Sequence, residues 1–412
     1  MDTITQLGKD LLPFTLTPGL GPVLTARLIE WCEGDLARAA AAGVATLRRV
    51  PGFGPRRAEA VAAGLAAACE RASREIDDAH RLGIRIVAKG DGAYPELMAS
   101  LPDAPLVLYV RGTLDPAGAD RYPVAIVGSR KCTAYGLEQA RTFAARLAKA
   151  GLTVVSGGAR GVDSSAHRGV LAGGGRTVAV LGCGLAHCYP PENRDLFEAI
   201  AASGAVVSEL ALETTPHPDQ FPARNRIISG MSLGVVVIEA DERSGALITA
   251  RVAAEEHGRE VMALPGRVDS GASRGTHSLI KSGGAALVTD AADVISILEG
   301  PARHVHSNTH ASRFRPSGSL AREVADGLSG DQSNAMTGGR SDVMHAAMAA
   351  GVVELTEVQR RIWDQLGGGG MTLDELWEST GFDVGVLRRE LMALELGRRV
   401  RREGTRFAAV GG

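Results

Sequence analysis

The residues with the most chemical capacity in this 412-residue chain are arginines set beside glycine-rich turns. Four short segments stand out: Gly128-Ser129-Arg130, Ser156-Gly157-Gly158-Ala159-Arg160-Gly161, Gly182-Cys183-Gly184 and Pro265-Gly266. Glycine lets backbone N–H groups come close to an anion, and a following helix N-terminus adds a favourable field. An arginine in such a turn can fork onto a phosphate through two parallel hydrogen bonds. The same turns also suit tight strand-to-helix connections that hold no ligand. A second basic feature is Phe221-Pro222-Ala223-Arg224-Asn225-Arg226, where two arginines flank an amide at a helix start. Positive charge there is unfavourable unless an anion or a carboxylate lies near. A bound phosphate or a partner such as Glu209 or Glu239 meets that requirement equally.

Other chemistries fit less well. A dinucleotide site needs G-x-G-x-x-G after the first strand and an acid ending the second. Here the first turn is VGSRKCTAYG and the second strand ends Ser156-Gly157-Gly158, so both requirements fail. No G-x-x-x-x-G-K-[ST] occurs, which removes a P-loop. Asp163 and His167 stand four residues apart, the spacing of an acid/base pair on a helix. A lone Asp at a helix start is more commonly a cap, and no Ser or Cys sits in a nucleophile setting. The five cysteines form no CxxC and no Cys/His zinc pattern. No catalytic residue, metal or cofactor is therefore expected.

The elements that must position these turns follow from the rhythm of the chain. Strands are expected near 84–87, 106–110, 124–127, 153–156, 177–181, 205–208, 235–239, 260–264 and 286–288, most of them separated by helical stretches. Near-continuous apolar strands alternating with helices specify a doubly wound, mostly parallel sheet covered on both faces. Ligands of such sheets bind at the carboxyl ends of the strands, where the glycine turns fall.

Around this 79–300 core, three further segments differ in character. Residues 1–78 read as short helices with two related Pro-Gly hairpins, Thr17–Pro22 and Val50–Pro55, each followed by a helix. That is a helix-hairpin-helix, or SAM-like, pattern, and only the second copy carries arginines at its helix start, Arg56 and Arg57. Residues 301–353 are rich in Ser, Gly, Asn and His without a periodic apolar face, as in a flexible linker, with a short helix expected near 341–350. Residues 354–412 read as two helices, a turn, a third helix and a β-hairpin, a winged helix whose third helix and wing carry Arg388, Arg389, Arg398, Arg399, Arg401, Arg402 and Arg406.

Composition bounds the partners. The formal net charge is −2, so any nucleic-acid contact must come from local clusters of arginine and lysine. Aromatic residues make up 4% of the chain and limit base stacking to a few positions such as Tyr135 and Tyr189. The first residues lack a signal-peptide pattern and no apolar run reaches membrane-spanning length, so a cytoplasmic location without membrane contact is expected.

Six segments together resemble the DNA-processing protein A family, also called DprA or Smf. They are VAIVGSRKCTAYG, VVSGGARGVDSSAH, TVAVLGCGLAHCYPPEN, SELALETTPHPDQFPARNRIISGMS, IEADERSGALITARVAAEEHG and ALPGRVDSGASRGTHSLIKSGGAAL, in the family's order. The resemblance implies an extended Rossmann-like fold that binds single-stranded DNA as a homodimer and loads the recombinase RecA during DNA uptake and natural transformation. Its DNA pocket falls on Gly128, Ser129 and Arg130, with Gly157, Gly158, Gly161 and Gly182 lining it. Tyr135, Arg160, Gly184, Arg224, Asn225 and Arg226 complete the candidate set. The chain departs from the family's usual acid in the third turn, having Ala186 followed by His187.

Two other readings compete. A phosphoribohydrolase-like enzyme on a related fold uses a PGGxGT loop, whereas this chain has Pro265-Gly266-Arg267-Val268. A sequence-specific regulator would rest on the winged helix and leave the central domain unexplained.

Overall fold

The computed structural model describes residues 3–306 and, beyond them, 357–366, 371–382, 400–403 and 406–409 together with Leu387, Leu391 and Leu394. Residues 1–321 form one compact unit and 322–412 a second.

The first unit is built on a nine-stranded sheet. Its strands are β1 (Arg85–Ala88), β2 (Val107–Gly112), β3 (Pro123–Val127), β4 (Thr153–Ser156), β5 (Thr177–Val180), β6 (Ala205–Ser208), β7 (Gly234–Val237), β8 (Glu260–Ala263) and β9 (Ala286–Leu287). The spatial order is β1-β2-β6-β5-β4-β3-β7-β8-β9. From β6 to β9 all neighbours are parallel, while β1 and β2 form an antiparallel hairpin that joins antiparallel to β6. The chain runs outward from β3 through β4, β5 and β6, then crosses back to lay β7 on the other side of β3. The order therefore reverses between β3 and β7, which is where an open α/β sheet leaves a crevice at its carboxyl edge.

The central strands are apolar on both sides because both faces are covered. On β3, Val124 and Ile126 pack with Phe143, Leu147 and Val170 from helices Ala134–Lys149 and Val162–Ala172. Ala125 and Val127, pointing the other way, pack with Ile227, Ile228 and Ala250 from helices Gln220–Gly230 and Gly245–Arg251. These four helices begin at the carboxyl edge of the sheet and so bring their first turns to the crevice.

The N-terminal helices, Gln6–Thr15, Pro22–Trp31, Leu36–Ala40, Val44–Leu47 and Pro55–Arg81, share a core with the sheet. Leu12, Phe14, Leu65 and Ala79 are buried in the same cluster as Ile86 of β1 and Tyr109 of β2. Glu75 accepts a hydrogen bond from the Leu212 amide, which ties the long helix to the segment after β6. The division expected at residue 78 falls inside the 27-residue helix Pro55–Arg81.

In the second unit, helices Glu357–Leu366 and Leu373–Thr380 accompany a sheet ordered β10 (Met371–Thr372), β12 (Arg406–Ala409), β11 (Val400–Glu403). Leu387, Leu391 and Leu394 have helical backbone, and their spacing presents one buried face to Ile362, Leu366 and Leu376. The short strand β10 pairs with the wing and was not expected from sequence. Of the expected linker, residues 301–306 finish the helix Ala291–His306; the remainder, with the helix expected near 341–350, lies outside the described residues, as do Arg388, Arg389, Arg398 and Arg399. No helix among the described residues is long and apolar enough to cross a membrane.

One core residue carries a proton-linked penalty. His167 on helix Val162–Ala172 is fully buried, its Nδ1 lying 2.7 Å from Thr177 Oγ1 on β5. Burial, with smaller contributions from the Arg224 and Arg168 charges, pushes its pKa down to about 3. The unfolded chain binds a proton at this residue below about pH 6.5 and the folded chain does not. Its contribution to stability is therefore intact above pH 6.5 and falls by about 1.4 kcal/mol per pH unit as pH drops toward 3. In urea titrations across this range, His167→Asn should lose stability with falling pH less steeply than the wild type; parallel pH profiles for the two proteins would disprove the assignment.

Candidate nucleic-acid interface

At the crevice between β3 and β7 lies a cleft of about 510 Å³. Its floor and walls include Gly128, Ser129 and Arg130 after β3, Arg224 and Asn225 on helix Gln220–Gly230, and Thr249 on helix Gly245–Arg251. A narrow recess continues from it beneath Gly157, Arg160, Gly182, Tyr189 and Phe221.

The base of the site is a buried guanidinium. Arg224 is 4% exposed, and its Nη1 donates to the carbonyls of Gly157, at 2.6 Å, and of Val180. These carbonyls end β4 and β5, so one side chain ties two strands to the helix that starts at Gln220. Asp163 stands beside it, and a Cβ on Gly157 would come within 2.6 Å of Asp163 Oδ2 and 2.7 Å of Arg224 Nη2. Burial raises the Asp163 carboxyl to about 6 against the pull of Arg224, and lowers the Arg224 guanidinium to about 10 against the pull of Asp163. Both groups are charged near pH 7 and neutralise one another out of water. Asp163 thus serves the arginine and the Ala159 amide rather than His167, whose own partner is Thr177.

Above this base Arg130 and Arg160 are exposed, while Phe221 and Tyr189 are half-buried. Helix geometry places residues three apart on one side, so Phe221 stands over Arg224 at the mouth of the cleft. The Arg130 guanidinium carbon lies 4.8 Å from the Phe221 ring centre. The Phe221 and Tyr189 rings are 5.5 Å apart at 33°. Beyond them Arg160 lies 6.0 Å from the Tyr189 ring and forms an ion pair with Glu192. The result is a ladder of arginine, two aromatic rings and arginine along the carboxyl edge. Arg130 has no ion-pair partner among the described residues, while the charge of Arg160 is matched by Glu192.

The candidate residues divide by this geometry. Gly128, Ser129, Arg130, Arg224 and Asn225 line the cleft, and Gly157, Arg160 and Gly182 line the recess. Tyr135 is partly exposed and donates from its hydroxyl to Pro265 O at 2.8 Å, outside the cleft. Gly158, Gly161 and Gly184 line neither cavity. Arg226 is turned away from Arg224, as two residues of a helix require. It pairs with Glu209, donates to Asp103 O at 2.7 Å and approaches Asp103 Oδ2 at 3.5 Å. Of the two carboxylates considered for these arginines, Glu209 is therefore used, whereas Glu239 holds the Thr133 amide at 2.6 Å and hydroxyl at 2.8 Å.

The glycines are needed chiefly by the chain itself. Gly161 has φ +79, and a Cβ there would strike Ser129 O of the neighbouring turn. A Cβ on Gly182 would meet Phe221 Cδ1 at 2.9 Å, one on Gly158 would meet Phe197 Cε1 at 2.7 Å, and one on Gly184 would strike the carbonyls of Ala211 and Leu212. The Ser129 amide is already given to Glu239 O at 2.7 Å and the Lys131 amide to Ser129 Oγ at 3.1 Å. The turns thus bring Arg130 and the rings together by packing closely. Sequence reasoning missed Phe221 and Lys131 as lining residues; the signal for Phe221 was an aromatic three residues before a buried arginine.

An open α/β sheet with an arginine and stacked rings at its switch point defines a Rossmann-like protein with a cleft at the carboxyl edge. Comparison with known proteins agrees. The family model for DNA recombination-mediator protein A matches residues 85–299, and that for the DprA winged helix domain matches 346–404. The chain is 38% identical over 285 residues to the protein Smf of Synechocystis sp., covering 68% of this chain and 70% of that one. It is 43% identical over 210 residues to the DNA processing protein DprA of Streptococcus pneumoniae, covering 51% and 72%. The crystal structure of DprA from Streptococcus pneumoniae superposes with a TM-score of 0.56 at 34% identity, covering 70% of this chain and 97% of that one. The chain belongs to the DNA recombination-mediator protein A family, whose members are DNA-processing proteins.

The two cleft arginines should separate stability from binding. Arg224→Met leaves Asp163 buried without its partner and should cost about 3–5 kcal/mol in urea denaturation. Arg130→Ala removes only an exposed contact with Phe221 and should cost about 1 kcal/mol or less. Similar losses for the two variants would refute the division into a structural base and an exposed rim.

Proposed function

We propose that the switch-point cleft holds single-stranded DNA, with Arg130 on the phosphate backbone and the Phe221–Tyr189 pair on the bases. The single observation that carries this reading is the ladder, in which an exposed arginine without a carboxylate partner stacks on rings at the carboxyl edge. A single strand offers phosphates and unpaired bases together, and base–aromatic stacking tolerates any sequence. A duplex hides its base faces and cannot use the rings.

Gly128, Ser129, Gly157, Arg160, Gly182 and Asn225 act in this proposal as the lining of the strand's path. Arg224 acts through the elements it holds, and Arg226 positions the helix through Glu209 and Asp103. Tyr135, Gly158, Gly161 and Gly184 support neighbouring turns. Within the same reading the protein works in the cytoplasm as a homodimer, protects incoming single strands and passes them to the recombinase RecA during transformation. Two copies of the cleft on one strand would raise the effective concentration of the second contact. The mechanism is binding rather than turnover.

Fluorescence anisotropy of labelled oligo-dT across a salt series tests the reading. Arg130→Ala should weaken binding about 10- to 100-fold, as expected for a lost charge-assisted contact. Phe221→Ala should weaken it by a comparable factor, because one stacked base is worth about 1–3 kcal/mol. The slope of log affinity on log salt should become shallower for Arg130→Ala and stay unchanged for Phe221→Ala. Unaltered oligo-dT affinity in both variants would sink the site; release of free base from nucleoside monophosphates by the wild type would instead favour an enzyme.

A further inference from the structure

The N-terminal helices hold as many Asp and Glu as Lys and Arg, but the segment 48–57 carries four arginines and no acid. Arg27, Arg48, Arg49, Arg56 and Arg57 are all exposed. Four of them flank one hairpin in sequence, Val50–Pro55, and Arg27 reaches it from another helix. Arg27 Nη1 reaches Pro51 O at 3.4 Å from helix Pro22–Trp31, and Arg57 Nη1 donates to Gly52 O at 3.2 Å from the start of helix Pro55–Arg81. Arg49 lies 5.9 Å from the ring of Trp31, which is itself 41% exposed. None of the five forms an ion pair among the described residues. An exposed set of unneutralised guanidiniums costs self-repulsion in the free protein, and a polyanion removes that cost.

The backbone of the same hairpin suits a phosphate. Gly52 has φ +97, which keeps the loop tight, and a Cβ there would meet Arg27 Nη1 at 2.9 Å. The helix that follows starts at Pro55 after Gly54, with no side-chain cap on its first turn and no acidic residue in it. Its first N–H groups are therefore left to water or to a ligand.

The related hairpin Thr17–Pro22 shows the contrast. There Thr17 and Leu20 are buried, and a Cβ on Gly64 of the long helix would meet Thr17 Cγ2 at 2.9 Å. Both hairpins bury their first and fourth residues and expose the Pro-Gly between them, but the first carries no arginine. Only the second has arginines around it.

We infer that the Val50–Pro55 hairpin with its surrounding arginines is a second nucleic-acid contact, one that grips the phosphate backbone of duplex DNA without reading sequence. The arginines surround a single exposed ring, Trp31, which offers no run of rings for splayed bases as the cleft does. Arginines and helix N-termini make sequence-independent contacts with the phosphates of a duplex instead. This contact is independent of the cleft, and a protein holding both would sit at a junction between duplex and single strand.

The test uses the full chain with Arg49→Ala, Arg56→Ala and Arg57→Ala combined, and anisotropy of a labelled duplex of about 30 base pairs beside labelled oligo-dT. Duplex affinity should fall about 10- to 100-fold and the salt slope should become shallower by about 2 to 3, since three phosphate contacts are removed. Oligo-dT affinity should stay within about 3-fold, because the cleft is untouched. The triple Arg→Lys variant should restore most of the duplex affinity, which separates a charge effect from a folding defect. Wild-type indifference to duplex, an unchanged duplex affinity or slope in the Ala variant, or equal losses for duplex and oligo-dT would each overturn the inference. Stronger binding of a polyglutamate peptide than of duplex, abolished in the Ala variant, would overturn it in favour of an acidic protein partner. Arg130→Ala, assayed alongside, reports on the cleft alone, so failure of that reading is seen separately.

Discussion

The arrangement of the cleft depends on one buried charge. Arg224 binds the last carbonyls of β4 and β5 and lies against Asp163. Taking a guanidinium out of water is costly, and only a full set of partners compensates it. The partners here are those that define the carboxyl edge of the sheet. Once the arginine is placed, Gly157 has no room for a Cβ, helix Gln220–Gly230 has a fixed start, and Phe221 is carried to the mouth. Arg130 then finds a ring 4.8 Å away. Arg224 Nε is itself buried without a hydrogen-bond partner, so this arginine is held at some cost.

Much of the fold was legible because the sheet is buried on both faces. Strand runs such as VAIV and VVVIE have no polar side to obscure them, and each lies within a residue or two of its expected position. The hairpin of β1 and β2 was visible as strands, but its antiparallel direction was not, since direction is set by the connection and not by apolar pattern. Helix continuity through residue 78 was also hidden. The helix Pro55–Arg81 runs on past residue 78 to meet β1, and its Ala72 and Ala79 are buried in the same cluster as Ile84 and Ile86.

The site was legible in outline and less so in roles. Glycine in a turn has the same appearance whether a ligand or the chain's own atoms fill the missing Cβ. At Gly157, Gly158, Gly161, Gly182 and Gly184 the chain's own atoms fill it. Arg224 and Arg226 read alike in sequence, yet a turn of about 200° between them sends one to the strand ends and the other to Glu209 and Asp103. Neither is available to a ligand as a free charge. The exposed arginine, Arg130, is the one in a loop, where backbone geometry does not bury it.

That distribution is how, in the proposed reading, a chain of net charge −2 would attract a polyanion. Many of its arginines are spent internally: Arg176 on Asp120, Arg226 on Glu209, Arg224 on Asp163 and carbonyls, Arg259 on the carbonyls of Leu97 and Gly230. Each ion pair offsets one charge of either sign locally and leaves the total unchanged, while a bond to a carbonyl buries a guanidinium without cancelling its charge. In the proposed reading a ligand meets guanidiniums that are exposed and form no ion pair among the described residues, including Arg130 at the cleft and the arginines around the Val50–Pro55 hairpin. Screening at physiological salt acts over about 8 Å, so each such group would act on the stretch of backbone nearest to it. Net charge is thus a poor guide to binding here; the pairing of individual guanidiniums is the relevant quantity.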